Sequence, residues 1–246
     1  MHKLTYFLLV LVLGTLGLSV VRHRDLANST TARQKDPDHH KRINERFPTA
    51  DYDERDLSDP RKNAKRKRYN DGKLVYSAVE PWMVESEFTP EPHFTFPALP
   101  VAESDLVVVG TVGNAQSHLS ENKKNIFSEF DLVVEDVLKS KLSGVAQGSV
   151  LTIDRIGGHV KYPNGQKVLY RVFGMNMPQA GSRYLFFLNS KHNKEDLSIL
   201  TGYELTQNGA APLDEELPQV KNLTGVSEKD ILQRVRNLVR NSSNEI

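Results

Sequence analysis

Between residues 106 and 206 the apolar positions come in short β-branched runs bounded by turn residues, a pattern that predicts strands rather than helices. The first run, Leu106, Val107, Val108, Val109, Gly110, Thr111 and Val112, is too β-branched to prefer a helix, and Gly113 with Asn114 marks a bend or bulge beyond it. Residues 126–138 alternate in part: Ile126, Phe130, Leu132, Val134 and Leu138 form the more apolar parity, and Glu129, Asp131 and Glu135 lie on the other. A long, half-buried strand is expected there. A polar connection covers 139–148, and 150–156 reads as the next strand. A hairpin follows, with Val160, Lys161 and Tyr162 on one side and Lys167, Val168, Leu169 and Tyr170 on the other. Between them Pro163, Asn164 and Gly165 are residue types that allow a tight reversal. Residues 184–188 predict a buried strand, and a last one falls within 198–206. After Gly209 and Pro212 the period becomes helical. Ile231, Leu232, Val235, Leu238 and Val239 share one face, Arg234, Arg236 and Arg240 the other, and Ser227 with Asp230 sets a cap at the start.

The first hundred residues follow other patterns. Residues 4–21 carry no charge and only Thr5, Thr15 and Ser19 as hydroxyls. As a helix they would run about 27 Å, close to the roughly 30 Å of a bilayer core. The expectation is an uncleaved, single-pass membrane anchor with the bulk of the chain extracytoplasmic. The alternative is a cleaved leader and a secreted or periplasmic product, for which Gly17 with Ser19, or Ala27 with Ser29, offers the small residues a cleavage site needs. Residues 22–73 hold fifteen Lys or Arg and ten Asp or Glu, with only Leu26, Ile43, Phe47 and Leu57 as large aliphatics or Phe. So little apolar area does not offset the entropy of ordering, which predicts a disordered tether. Residues 74–100 place Trp82, Phe88, Phe94 and Phe96 among Pro81, Pro90, Pro92, Pro97 and Pro100, a spacing that forbids a long helix and suits an extended strap.

About six strands without crossover helices predict a mainly β fold: a small antiparallel OB-like barrel over 101–208, followed by a loop and an amphipathic C-terminal helix over 209–246. The ordered series from Ser104 to Val112, then FDLVVEDVLK over 130–139 and GSRYLFFL over 181–188, resembles the netrin-like or TIMP-like version of the OB-fold. It is also similar to uncharacterised exported bacterial proteins built on that plan. The resemblance covers about residues 100–208. It implies a barrel but not metalloprotease inhibition, because TIMP-type inhibitors chelate the protease metal through an amino-terminal cysteine and this chain has none.

Composition narrows the chemistry. The 246 residues contain no cysteine, which excludes disulfide scaffolds, thiolate metal sites and cysteine nucleophiles. The 32 Lys and Arg against 31 Asp and Glu exclude a polycation overall, but residues 22–73 carry a net +5 and 74–246 a net −5. The densest basic run, Arg61, Lys62, Lys65, Arg66, Lys67 and Arg68, reads as a solvated linker that touches the acidic part, or as a seat for nucleic acid or anionic lipid. His39 and His40 beside Asp36 and Asp38 lack any preorganised metal spacing. His118, His159 and His192 fall on or near expected loops, and Gly157 with Gly158 makes a turn or bulge before His159. No nucleophile elbow or phosphate loop is present. No residue is therefore assigned a catalytic, cofactor-binding or metal-ligating role. The sequence suggests a membrane-tethered or secreted binding or assembly module, attached through residues 4–21, whose partner is a protein or an envelope polymer. The alternatives are a hydrolase using the three histidines, and an OB-type nucleic-acid binder that the acidic barrel disfavours.

Overall fold

In chain order the elements are β1 (Thr49–Asp51), α1 (Pro60–Arg68), β2 (Tyr76–Val79), β3 (Leu106–Leu119), β4 (Ile126–Ser140), β5 (Val150–Ile156), β6 (Gly158–Lys161), β7 (Lys167–Arg171), β8 (Arg183–Asn189), β9 (Leu197–Thr206), β10 (Gly209–Pro212) and α2 (Glu228–Ser243). Short 3-10 turns occupy Tyr69–Asp71 and Pro218–Leu223. This is a computed structural model, and it describes residues 45–54, 59–71, 76–79, 96–172, 174–190, 196–215 and 217–243. The larger sheet has the order β10-β9-β5-β4-β3-β8, with β9 also pairing β8, and the smaller one has the order β1-β6-β7-β2.

Strand β3 shows why its sequence reads as one unbroken apolar run. Leu106, Val108 and Val112 enter one core with Phe130, Leu132, Ile153, Phe186 and Leu188. Val107 and Val109 enter a second core on the opposite face, with Leu185, Phe187 and Tyr203. A strand covered on both faces has no polar parity to show. The outer core is closed by Ile231, Leu232 and Val235 of α2 and by Val220 and Leu223 of the preceding 3-10 turn. Each such side chain contributes about 1.5–3 kcal/mol of gross burial.

The alternation in β4 breaks where the ladder slips. Val109 faces Asp136 while Gly110 faces Val134, leaving Glu135 as an extra residue. A one-residue insertion reverses which side chains face the core, so Val134 and Val137 both reach the inner core. Gly110 is required at this point, since a Cβ there would lie 2.5 Å from the Val133 carbonyl oxygen and 2.9 Å from Leu132 Cδ1. Within β5, adjacent Asp154 and Arg155 point to opposite sides. Asp154 faces α1, and Arg155 makes a bidentate pair with Asp214 at 2.7 and 2.8 Å.

Several expectations need correction. The expected small antiparallel barrel of about six strands is instead a mixed α/β arrangement, with ten strands among the described residues in two sheets. Two pairings, β1 with β6 and β5 with β9, are parallel. The β5–β9 contact spans only Ile153 with Leu197 and Asp154 with Ser198, so the larger sheet lacks the continuous antiparallel ladder of the expected barrel. Alternation reports that a segment is a strand, but it does not report which strand lies beside it. Part of the expected tether is ordered, since β1 and α1 both fall within residues 22–73. The expected membrane segment, residues 4–21, lies outside the described residues. Among the described residues no helix is long and apolar enough to cross a membrane. The longest, α2, has 16 residues and bears Arg234, Arg236 and Arg240. The single-pass membrane reading is corrected to that extent and is not carried further.

Candidate functional site

The basic run forms α1 because its start is well capped. The Asp59 side chain accepts a hydrogen bond from the Arg61 amide at 2.8 Å, and Pro60 occupies the first turn, where its missing N–H costs nothing. Helical spacing then places Lys65, Arg68 and Tyr69 on one face. That face lies over three carboxylates: Glu129 on β4, Asp154 on β5 and Asp196 just before β9. Lys65 Nζ lies 2.6 Å from Glu129 Oε1, 3.0 Å from Asp154 Oδ2 and 3.5 Å from Asp196 Oδ1. Arg68 reaches Asp154 and Asp196, each at 2.9 Å. The Tyr69 and Ser198 hydroxyls both donate to Asp154 Oδ1 at 2.8 Å, and the Tyr69 ring stacks on Phe127 with centroids 4.4 Å apart.

Lys65 is 4% exposed and Asp154 is fully buried. Burial opposes the Lys65 charge, but Asp154 and Glu129 outweigh it and hold the ammonium above its ordinary 10.5. Burial would likewise raise Glu129, yet the His118 hydrogen bond and the nearby Lys65 bring it down to about 2. Burial, and then Asp154, push the Tyr69 phenol well up. These groups satisfy one another and tie α1 to the sheet.

The network continues outward through His118 on β3. Its Nε2 lies 3.3 Å from Glu129 Oε2 and its Nδ1 lies 3.1 Å from Glu54 Oε1. Burial disfavours a charged ring, but hydrogen bonds to Glu129 and Glu54 and their charges prevail, so His118 titrates above its ordinary 6.5. Glu54 in turn lines a cleft of about 390 Å³ together with Asp51, Tyr52, Asp53, Lys161 and Tyr162. The cleft exists because β1 runs parallel to β6, which brings the residues after β1 beside the β6–β7 hairpin. The Tyr52 amide donates to the Lys161 carbonyl at 2.9 Å. Gly165, with φ 83°, turns the hairpin. Tyr52 and Tyr162 stack with centroids 5.0 Å apart, and the Tyr162 and Tyr170 hydroxyls are 2.8 Å apart. Lys123 Nζ sits 4.2 Å from the Tyr52 ring centroid and donates to its carbonyl at 2.9 Å.

The histidine expectations separate. His118 and His159 lie on strands, not loops, and each is 2% exposed. His159 Nδ1 is 3.0 Å from the Phe47 carbonyl, and neither ring lines the cleft. The hydrolase built on loop-borne histidines is therefore corrected for His118 and His159, which lie buried on strands. His192, His39, His40, Asp36 and Asp38 lie outside the described residues. Among the described residues no group of three His, Asp or Glu could hold a metal ion. Nucleic-acid binding through the basic run is also corrected, since Lys65 and Arg68 are engaged by internal carboxylates. The cleft itself was not anticipated. Tyr52, Asp53 and Glu54 lie in what read as a tether, 108 to 110 positions before Tyr162, and the β1–β6 pairing brings them together.

No protein-family model matches the chain, and no curated protein matches it. The resemblance to the netrin-like or TIMP-like OB-fold is corrected accordingly. The runs that carried it are hydrophobic strand patterns, which any strand buried on both faces produces. The expected membrane-tethered or extracytoplasmic assembly module and its membrane partner are corrected as far as the described residues go, where no helix is long and apolar enough to cross a membrane.

Proposed function

We propose that the chain binds a cationic ligand, an ammonium or guanidinium group on a small molecule or basic side chain, in the cleft between the end of β1 and the β6–β7 hairpin. The observation that carries this reading is the lining: Asp51, Asp53 and Glu54 provide three carboxylates against one lining cation, Lys161, and share the cleft with the rings of Tyr52 and Tyr162. Carboxylates attract a cation and an aromatic face holds it, a contact worth about 0.5–2 kcal/mol depending on desolvation. Lys123 already holds an ammonium against the Tyr52 ring, an internal instance of the same cation–aromatic contact. The volume lies toward the small end of the roughly 300–1,000 Å³ typical of ligand pockets, which favours one charged group with a short stem.

The test is titration of the full chain with choline and with arginine amide, followed by calorimetry and by NMR shifts of the tyrosine rings, with acetate as the anionic control. Both cations are expected to bind and acetate is not. Asp53→Asn and Tyr162→Ala should each weaken binding about three- to tenfold, the effect of losing one charge or one aromatic face. Absence of any saturable cation binding up to about 10 mM, a free energy near −3 kcal/mol, overturns the proposal.

A further inference from the structure

His118 is the one described side chain that connects the cleft wall to the buried charge network. Both of its ring nitrogens face carboxylate oxygens, Nδ1 toward Glu54 and Nε2 toward Glu129. Ionised carboxylates only accept hydrogen bonds, and a neutral imidazole carries a single N–H. Only the imidazolium donates to both partners at once. A ring that loses its proton turns a lone pair toward one carboxylate, and the two sides do not hold equally. Glu129 keeps Lys65 at 2.6 Å. Glu54 has no comparable anchor, since its Oε2 has no hydrogen-bond partner among the described residues.

We propose that His118 is a positioning residue for the cleft: as an imidazolium it clamps Glu54 to Glu129, and loss of the ring proton frees the Glu54 carboxylate to face a bound cation. The inference rests on the cation-binding reading and names its regulation. Two effects share one sign. Deprotonation removes a positive charge from behind the cleft wall, and it releases a negative group into the cleft, so cation affinity rises as pH rises. The other charged and titratable groups around His118 are few. Beyond Glu54 and Glu129, β4 supplies the uncharged Phe127 ring at 5.5 Å. Through Glu129, α1 supplies Lys65, which also holds Asp154 on β5. From β6 come His159, whose Nδ1 is engaged by the Phe47 carbonyl, and Lys161 at the cleft rim. Lys65 titrates above its ordinary 10.5, well above the imidazole range.

Choline suits the test because its charge does not change with pH. Its affinity for the full chain is measured from pH 5.5 to pH 9, and the ring protons of His118 are followed by NMR over the same range, in the wild type, His118→Gln and Glu54→Gln. The expected wild-type result is a gain of roughly three- to tenfold, the size of one nearby charge at intermediate dielectric, with a midpoint above 6.5. In H118Q the profile is expected to be flat. In E54Q the His118 midpoint is expected to fall, because one of its two anionic partners is gone. A pH-independent wild type, or an H118Q chain that keeps the wild-type profile, overturns the role of His118 while leaving the cleft reading in place. Absence of choline binding at every pH overturns both. Should H118Q fail to fold, the E54Q titration decides, and an unmoved His118 midpoint overturns the clamp.

Discussion

Replacing Lys65 with Met tests whether the charge network holds α1 onto the sheet. Methionine keeps an unbranched apolar stem of similar reach, so packing changes little and the loss is that of the ammonium. Three carboxylates then remain, Glu129, Asp154 and Asp196, with Arg68 bonded to the last two. Removing one member of a buried ion pair costs about 3–5 kcal/mol, because the partner stays buried without its counter-charge. For a chain of this size that corresponds to a Tm lower by about 6–20 °C. The control is Lys67→Met, whose side chain is 66% exposed and lies 3.9 Å from Glu121, and which should change stability by under about 0.5 kcal/mol. Guanidinium denaturation and thermal melts of both variants measure the difference. A second signature comes from acid. Glu129 is lowered from its ordinary 4.5 to about 2, so its contribution is complete above pH 4.5 and is lost as pH falls toward 2, on the order of 3 kcal/mol in all. The Lys65 variant should lose less over that window, because Glu129 is then less depressed. If Lys65→Met melts with Lys67→Met and keeps the full acid loss, the network described above does not form in solution.

Further outcomes follow from other contacts. Asp214→Asn leaves the Arg155 guanidinium, 2% exposed, without its carboxylate, and denaturation should show a loss of about 3–5 kcal/mol. Gly110→Ala sets a methyl group against the Val133 carbonyl, which backbone cannot yield cheaply, so the melt should report a loss of at least about 1–3 kcal/mol. Tyr203→Phe removes the hydroxyl that donates to the Ala98 carbonyl at 2.6 Å. It should cost about 1 kcal/mol and speed hydrogen exchange around residue 98. His118 gives the alkaline counterpart of Glu129. Its folded pKa lies above its ordinary 6.5, so its contribution is complete below pH 6.5 and is lost as pH rises through the folded value. Denaturation midpoints across pH 5.5 to 9 should decline in the wild type and stay level in H118Q.

How much of the fold was legible depended on how many faces a segment buries. The start of α2 was readable because it buries one face, Ile231, Leu232 and Val235, and so shows its period. In β3 both faces are buried, so Leu106 to Val109 announced a strand but not its two cores. The break at Glu135 was invisible as a bulge, because an extra residue is defined only against the neighbouring strand. Pairing was the least legible feature of all. Strand β1 has three residues, too few for any alternation, and is stabilised by its parallel ladder to β6 and by the burial of Ala50.

The site was hidden for a related reason, which concerns charge rather than period. A run such as Arg61 to Arg68 has the composition of a solvated segment because sequence shows each charge without its partner. Among the described residues, part of the basic charge of 22–73 is matched by acidic groups of 74–246. Lys65 and Arg68 are spent on Glu129, Asp154 and Asp196, of which Glu129 reads in the sequence as the polar parity of a half-buried strand. Apolar burial alone does not order this segment; cations already matched to acidic sites on the sheet do. That matching favours the segment over nonspecific attachment, since a buried cation is stable only where its carboxylates stand at bonding distance. It also supports one side of the cleft. With α1 docked, Glu129 is engaged, His118 has a fixed partner on its inner side, and Glu54 is held at the cleft wall, so the charge pattern that reads as disorder supplies support for the candidate site.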